Sequence, residues 1–291
     1  MLFCCEFTYY LEIECKVTKK LRIKNYELRI ICYQKNDFRL KKQKRPTATV
    51  FLSFRLVKSK FFFVPLPQNH HTMVQVINFS EQNTCLNQYM AELRDKNYQR
   101  NRLLFRHNIR RVGEIMAYEL SKTLDYKSKT VTTPLGTIDI DVPRDEMLVA
   151  TVLRAGLPFH EGFLHVFDHA ENAFVSAYRM YTNREHTEVG VHAEYMASPS
   201  VKGKTLVIVD PMLATGGSMA AAIEALLKTG KPRRIHVACV IAVPEGIDVV
   251  KSVLPDDSTI WCAAIDPGMN ENKYIVPGFG DCGDLCFGEK L

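Results

Sequence analysis

The sequence lacks the features that mark membrane-spanning and zinc-binding proteins. No stretch approaches the roughly 20 consecutive apolar residues that a membrane helix needs, and the apolar run at residues 61–66 is far too short. The nine cysteines show no metal-ligand spacing, because Cys282 and Cys286 are separated by three residues and no second pair accompanies them. We therefore interpret the cysteines as free thiols in a reducing compartment, and we expect a cytoplasmic protein.

Two common nucleotide-binding motifs are also missing. The chain contains no G-x-G-x-x-G pattern. Gly203-Lys204-Thr205 resembles the end of a P-loop, but Ser198 stands where the first glycine belongs, and a strand rather than a helix is predicted to follow. The sequence therefore disfavours a kinase or an ATPase. It also shows no obvious Ser-His-Asp or Cys-His nucleophile system.

Glycine is absent from residues 1–72, whereas all 15 glycines of the chain lie after them. The same segment has only one alanine and carries 15 Lys+Arg against 5 Asp+Glu, and it does not resemble a signal peptide. We predict that residues 1–72 are a disordered basic extension or translated upstream DNA, and that residues 73–291 are the working domain. The alternative is a basic arm that binds nucleic acid or an acidic partner.

Strand and helix patterns alternate within residues 73–291. Apolar runs predict strands at Met147–Leu153, Phe174–Tyr181, Thr205–Val209, His236–Val243 and Ile260–Ile265, and an alternating stretch predicts a hairpin around Pro134-Leu135-Gly136. Helices are predicted over residues 98–124, from residue 157 to about 167, and over residues 218–228. This alternation predicts an α/β fold with a mostly parallel sheet flanked by helices. The polar residues 182–200 are interpreted as a small hood or arm over the site, or else as an ordinary surface hairpin.

The strongest local signal is the loop at residues 210–218, which reads D-P-M-L-A-T-G-G-S between a predicted strand and a predicted helix. Gly216 and Gly217 allow the backbone to turn sharply and to approach a ligand closely. The free N–H groups and the positive end of the helix dipole favour a phosphate there. Asp210 stands at the strand tip, where it could meet sugar hydroxyls or a hydrated magnesium ion. The alternative is a strand–turn–helix corner that needs glycine for its turn alone.

Residues 210–218 resemble the loop with which type I phosphoribosyltransferases bind 5-phospho-α-D-ribose 1-diphosphate (PRPP), in the form found in the uracil-specific branch. Three further segments match that branch in order: L-R-A-G-L at residues 153–157, P-E-G-I at residues 244–247 and Y-I-V-P-G-F-G-D-C-G-D at residues 274–284. The last segment is not shared by purine-specific relatives. The resemblance spans essentially residues 73–291 and implies a type I phosphoribosyltransferase fold that makes UMP and diphosphate from uracil and PRPP.

The resemblance also implies roles for individual residues. Arg154 and Arg179 would contact the pyrophosphate of PRPP, and Arg179 and Asp210 would be the catalytic residues. The ribose and its 5′-phosphate would be bound by Asp210, Pro211, Met212, Leu213, Ala214, Thr215, Gly216, Gly217 and Ser218. Uracil would be bound by Ile275, Gly280, Asp281 and Cys282, with Asp281 also facing PRPP. Cys282 replaces the alanine usual in the family, and it would place a reactive thiol near the base.

Magnesium is the implied cofactor, and it would be bound mainly through PRPP. The family implies a homo-oligomer and, in some members, GTP as an effector, whereas nucleic acid is not an expected partner. Two other functions stay open. One is a type I transferase for another base, and the other is a catalytically silent relative that binds nucleotide or RNA as a regulator.

Overall fold

The computed structural model describes residues 19–23, 26–30, 73–181 and 189–290, with side chains described for residues 73–176 and 195–290. The chain divides into two units, residues 1–68 and residues 69–291. In the first unit, β1 (Lys19–Ile23) and β2 (Tyr26–Ile30) pair as antiparallel strands. The predicted disorder or artificial origin of residues 1–72 lies mostly outside the described residues and stays a prediction.

The second unit contains twelve described strands and six described α-helices. The strands are β3 (Gln75–Asn78), β4 (Tyr126–Thr133), β5 (Gly136–Pro143), β6 (Met147–Leu153), β7 (Glu171–Tyr181), β8 (Val189–Ala197), β9 (Thr205–Val209), β10 (Met212–Leu213), β11 (Arg234–Ala242), β12 (Thr259–Ile265), β13 (Gly268–Met269) and β14 (Ile275–Val276). The helices are α1 (Leu86–Arg94), α2 (Arg102–Ser121), α3 (Leu157–Leu164), α4 (Gly217–Leu227), α5 (Pro244–Val253) and α6 (Cys282–Phe287).

A central sheet of eight strands organises this unit. Seven strands lie in the order β3-β12-β11-β9-β6-β7-β8, and the short β10 pairs with β11. The pairings are parallel except for that between β7 and β8, which is antiparallel. The predicted mostly parallel sheet is therefore confirmed, and so are the predicted bounds of β6 and β9.

Helices cover both faces of the sheet, and β9 shows how its residues serve both. Val207 and Val209 pack in a core with apolar side chains of α2 and α3, whereas Leu206 and Ile208 pack in a second core with those of α4 and α5. All five residues of β9 are buried. A strand that is covered on both faces has no polar face, and this explains why it appears in the sequence as a continuous apolar run.

The polar segment at residues 182–200 contains a strand, in agreement with the surface hairpin that was one of its two interpretations. Residues 189–197 form β8, which pairs with β7 along nearly its whole length. Pairing with an existing sheet edge stabilises this strand, although polar residues flank it in the sequence. Residues 182–188 lie outside the described residues, so the predicted hood over the site stays a prediction. The predicted hairpin around residues 134–136 is confirmed by the antiparallel pairing of β4 and β5.

No helix among the described residues combines the length and the apolarity needed to cross a membrane.

His236 gives the fold a predictable sensitivity to acid. It is buried near the start of β11, where Trp261 Nε1 donates a hydrogen bond to its Nδ1 at 3.2 Å. Burial, and secondarily the charge of Arg234, lower the pKa of His236 from 6.5 to about 4, although Asp145 acts in the opposite sense. The unfolded chain therefore binds a proton that the folded protein rejects, and stability falls as the pH drops from 6.5 towards 4.

We predict that the free energy of unfolding of His236→Gln falls less in acid than that of the wild type, by up to about 3 kcal/mol. This figure follows from the lowered pKa of His236, since each pKa unit corresponds to about 1.4 kcal/mol. Urea denaturation at pH 7.5 and at pH 4.5 measures the difference. His169→Gln, at an exposed position, is the control and should keep the wild-type pH dependence. An unchanged pH dependence in His236→Gln would contradict the interpretation.

Candidate active site

The glycine-rich loop connects β9 to α4 at the carboxyl edge of the sheet. Gly216 adopts a left-handed conformation with φ of +77° and caps the amino end of α4. A Cβ at this position would lie 2.7 Å from the carbonyl oxygen of Gly246 and 2.9 Å from Cβ of Val249. Gly216 has no side chain with which to cap the helix, so the first N–H groups of α4 remain for a ligand. This arrangement suits an anion such as phosphate.

The segment P-E-G-I supports this loop from behind. Gly246 lies in the first turn of α5, where a Cβ would come within 2.3 Å of the carbonyl oxygen of Ala214. The backbone N–H of Val243 also donates a hydrogen bond to the carbonyl oxygen of Leu213 at 3.1 Å. The motif therefore allows the loop to pack closely against α5. The sequence pattern did not reveal this role.

Asp210 directly follows β9 and has an unusual electrostatic environment. Burial raises the pKa of its carboxyl group to about 7, while the backbone N–H of Met212, 3.4 Å from Oδ1, acts in the opposite sense. A carboxylate with so little hydrogen bonding retains acceptor capacity for hydroxyl groups or for a hydrated cation. Its position beside the amino end of α4 fits the predicted contact with a phosphorylated sugar.

Arg154 directly follows β6 and contacts the carboxyl-terminal helix. Its Nη2 donates hydrogen bonds to Asp284 Oδ1 at 2.7 Å and to the carbonyl oxygen of Gly288 at 3.0 Å. About 40% of the Arg154 side chain is exposed, so this guanidinium is accessible to a ligand. Arg154 thus connects the carboxyl edge of the sheet to the segment predicted to bind the base.

The predicted base-binding residues lie in a tight turn that leads into α6. Ile275 is buried in β14, and Gly278 and Gly280 have positive φ values of 55° and 94°. Asp281 caps α6 by accepting a hydrogen bond from the N–H of Asp284 at 3.0 Å. The sequence analysis predicted no helix here, because six residues are too few to show a helical period.

An open cleft of about 590 Å³ borders this segment. Its lining includes Gly280, Asp281 and Asp284 and, from the segment around the start of α2, Gln99, Arg100 and Arg102. Lys290 Nζ lies 3.1 Å from Asp281 Oδ2. Burial alone would raise the pKa of Asp281. The hydrogen bonds from the Asp284 backbone and from Lys290 outweigh this effect, so the pKa of Asp281 is lowered and its charged form is favoured.

Comparison with known proteins identifies the family. A family model described as uracil phosphoribosyltransferase matches residues 80–289. A uracil phosphoribosyltransferase from Porphyromonas gingivalis is 53% identical over 218 residues, covering 75% of this chain and 100% of the relative. One from Pyrobaculum arsenaticum is 42% identical over 201 residues, covering 68% and 92%. The chain belongs to the uracil phosphoribosyltransferase family.

A solved structure agrees with this assignment at the level of the fold. The AQ2163 protein from Aquifex aeolicus is 29% identical and superposes with a TM-score of 0.65, covering 74% of this chain and 98% of its own. The resemblance drawn from the sequence motifs is therefore confirmed as to family and fold.

Arg179 and Cys282 are two further predicted site residues of this family member. Arg179 lies in β7 opposite Val191 of β8, but its side chain is outside the described residues, so its role stays a prediction. Cys282 is fully buried, with its Sγ 3.9 Å from that of Cys286. Burial raises the pKa of the Cys282 thiol well above its usual value. The expectation of a reactive thiol is therefore wrong, because a reactive cysteine needs an accessible thiolate.

Sequence reasoning missed the side chains that hold the base-binding turn. Arg94 and Gln99 donate hydrogen bonds to the carbonyl oxygens of Gly278 and Phe279 respectively. Asp266 accepts a hydrogen bond from the N–H of Gly278. The only signal for Asp266 was its place directly after a predicted strand, and Arg94 had none.

We predict that Gly216→Ala destabilises this family member more than Gly203→Ala. Gly203 has a similar φ of +75° but open space around its missing Cβ, so its substitution measures backbone strain alone, about 1 kcal/mol. Gly216→Ala adds contacts too short to keep, which should cost roughly 1–3 kcal/mol more. Urea denaturation measures both losses, and equal losses would show that the loop does not press against α5.

Proposed function

We propose that this chain transfers the phosphoribosyl group of PRPP to uracil, which yields UMP and diphosphate. The observation that carries the proposal is the contact of Arg154 with α6. This contact joins the carboxyl edge of the sheet, where the phosphate loop begins at Asp210, to the turn that contains Gly280 and Asp281. The relatives from Porphyromonas gingivalis and Pyrobaculum arsenaticum bear the name of this activity.

The phosphate loop would bind PRPP through complementary charge. The 5′-phosphate of PRPP would accept hydrogen bonds from the first N–H groups of α4 and from the hydroxyls of Thr215 and Ser218. Asp210 would accept hydrogen bonds from the ribose hydroxyls, because the N–H of Met212, at 3.4 Å, is the one hydrogen-bond donor to its side chain among the described residues. Arg154 would exchange Asp284 for the pyrophosphate, and Arg179 would contact the same group.

The reaction proposed is a displacement at the anomeric carbon of the ribose. The bond from this carbon to the pyrophosphate oxygen breaks, and a bond forms to a uracil nitrogen, which releases its proton to water. Positive charge then builds on the sugar as in glycosyl transfer. The guanidinium groups of Arg154 and Arg179 would stabilise the negative charge that develops on diphosphate. Positioning of the two substrates would supply most of the remaining rate enhancement.

Magnesium is proposed to arrive with PRPP rather than to occupy a protein site. The described residues contain no cluster of three or more side chains that could hold a metal ion, whereas the Asp210 carboxyl group has spare acceptor capacity beside the loop. When bound to PRPP, magnesium would neutralise part of the charge on the leaving diphosphate. We further propose that the enzyme acts in the cytoplasm as a homo-oligomer, with GTP as an effector as in some members of its family.

We predict that the full chain forms UMP from uracil, PRPP and magnesium, and forms no nucleotide from cytosine, hypoxanthine or adenine. A chain that begins at Met73 should behave alike, because the family match and the described site lie after this residue. Chromatography of the products measures the outcome. A nucleotide formed from a purine would indicate a transferase for another base. No nucleotide from any base, in a folded protein, would favour a catalytically silent regulator.

A further inference from the structure

We propose that Arg94 and Asp266 are positioning residues that hold the base-binding turn and thereby set which base the enzyme accepts. The proposal rests on the proposed function, since it assigns a role within the same site. Neither residue belongs to a segment that the sequence motifs singled out. Arg94 is the last residue of α1, and Asp266 directly follows β12. The two residues are 172 positions apart in the chain.

The two side chains form a bidentate ion pair. Arg94 Nη1 donates to Asp266 Oδ2 at 2.9 Å, and Arg94 Nη2 donates to Asp266 Oδ1 at 2.7 Å. Only 6% of the Asp266 side chain and 26% of the Arg94 side chain are exposed. The N–H of Asp266 also donates to the carbonyl oxygen of Ala242 at 2.8 Å. A planar, two-bond contact of this kind fixes orientation as well as distance, and here it is anchored to the sheet.

Both members of the pair form hydrogen bonds with the backbone of one residue of the turn, Gly278. The N–H of Gly278 donates to Asp266 Oδ2 at 2.9 Å, and the carbonyl oxygen of Gly278 accepts from Arg94 Nη1 at 3.1 Å. Gly278 lies between Ile275 and Gly280, two of the residues expected to contact uracil. The ion pair therefore fixes the middle of the segment that presents backbone groups to the base.

A second contact keeps the neighbouring residue in place. Gln99 Nε2 donates to the carbonyl oxygens of Phe279 at 2.8 Å and of Leu93 at 2.6 Å. The Phe279 ring packs edge-on against Phe105 of α2, with 5.8 Å between the ring centroids. The turn is thus held by α1, by Gln99 just before α2, by Phe105 within α2 and by the sheet.

This support matters for base selection because backbone groups cannot change their chemistry to suit a base. Uracil and cytosine differ in the donors and acceptors along one edge, and a site that leaves polar groups unpaired rejects the wrong base strongly. Such rejection requires the groups to stay in place, since a displacement of about 1 Å can cost on the order of a hundredfold in rate. Loss of the ion pair should therefore affect the use of uracil before it affects the use of PRPP.

A purely structural role for the pair is the alternative, and a matched pair elsewhere separates the two. The Asp145 side chain is also buried, and it accepts hydrogen bonds from Arg233 Nη1 at 3.2 Å and from Thr205 Oγ1 at 2.8 Å. It precedes β6 and contacts residues at the starts of β9 and β11, at the amino ends of the strands. Asp145→Asn therefore weakens an ion pair with a buried carboxylate at the edge opposite to the proposed site.

The test compares Asp266→Asn, Arg94→Lys and Asp145→Asn with the wild-type full chain. We expect Asp266→Asn to raise the KM for uracil at least tenfold, to leave the KM for PRPP within about twofold, and to lower the preference for uracil over cytosine. Arg94→Lys keeps the charge but loses the planar fork, so it should show the same pattern more weakly. Asp145→Asn should lower the melting temperature comparably and leave both KM values unchanged.

Two outcomes would overturn the proposal. In the first, Asp266→Asn and Arg94→Lys lose stability as Asp145→Asn does, while their KM values and base preference match the wild type. In the second, the KM values for uracil and PRPP rise together, which would indicate general damage to the site. If Asp266→Asn does not fold, Arg94→Lys decides between the same outcomes. Absence of UMP formation by the wild-type chain would instead count against the proposed function, on which this role depends.

Discussion

The parallel pairing of the central strands is the constraint on which the rest of the site depends. Parallel strands end at the same edge of a sheet, so segments distant in the sequence meet there. Four strands, β6, β9, β11 and β12, are each followed at once by a residue that contributes to the site: Arg154, Asp210, Val243 and Asp266. Largely apolar sequences keep these strands buried, and a charged residue directly follows three of the four strands.

Two kinds of recognition meet at this edge. The start of α4 offers N–H groups and a favourable dipole, which suit a charged group of known shape such as phosphate. The turn before α6 offers backbone groups held in place by Arg94, Asp266 and Gln99, which suit a planar edge with alternating donors and acceptors. Arg154, at the end of β6, contacts Asp284 of α6. This contact connects the phosphate subsite at the start of α4 to the base subsite before α6.

The sequence predicted the parts of this arrangement that depend on local patterns. The bounds of β6 and β9 follow from their apolar runs, and the glycine-rich loop before α4 follows from its position between strand and helix. Prediction from the sequence failed where the structure depends on contacts between residues that are distant in the chain. β8 is stabilised by pairing with β7, and Arg94 meets Asp266 only after the sheet has formed. The buried state of Cys282 likewise depends on how α6 packs against the core.

A crystal structure of the full chain with UMP bound would test the central claim most directly. The account predicts that the phosphate accepts hydrogen bonds from the first N–H groups of α4, and that the uracil edge pairs with backbone groups between Ile275 and Cys282. It also predicts that the bonds of Gly278 to Arg94 and Asp266 persist in the complex. A base bound mainly by side chains elsewhere, or a turn that has left Arg94 and Asp266, would contradict the account.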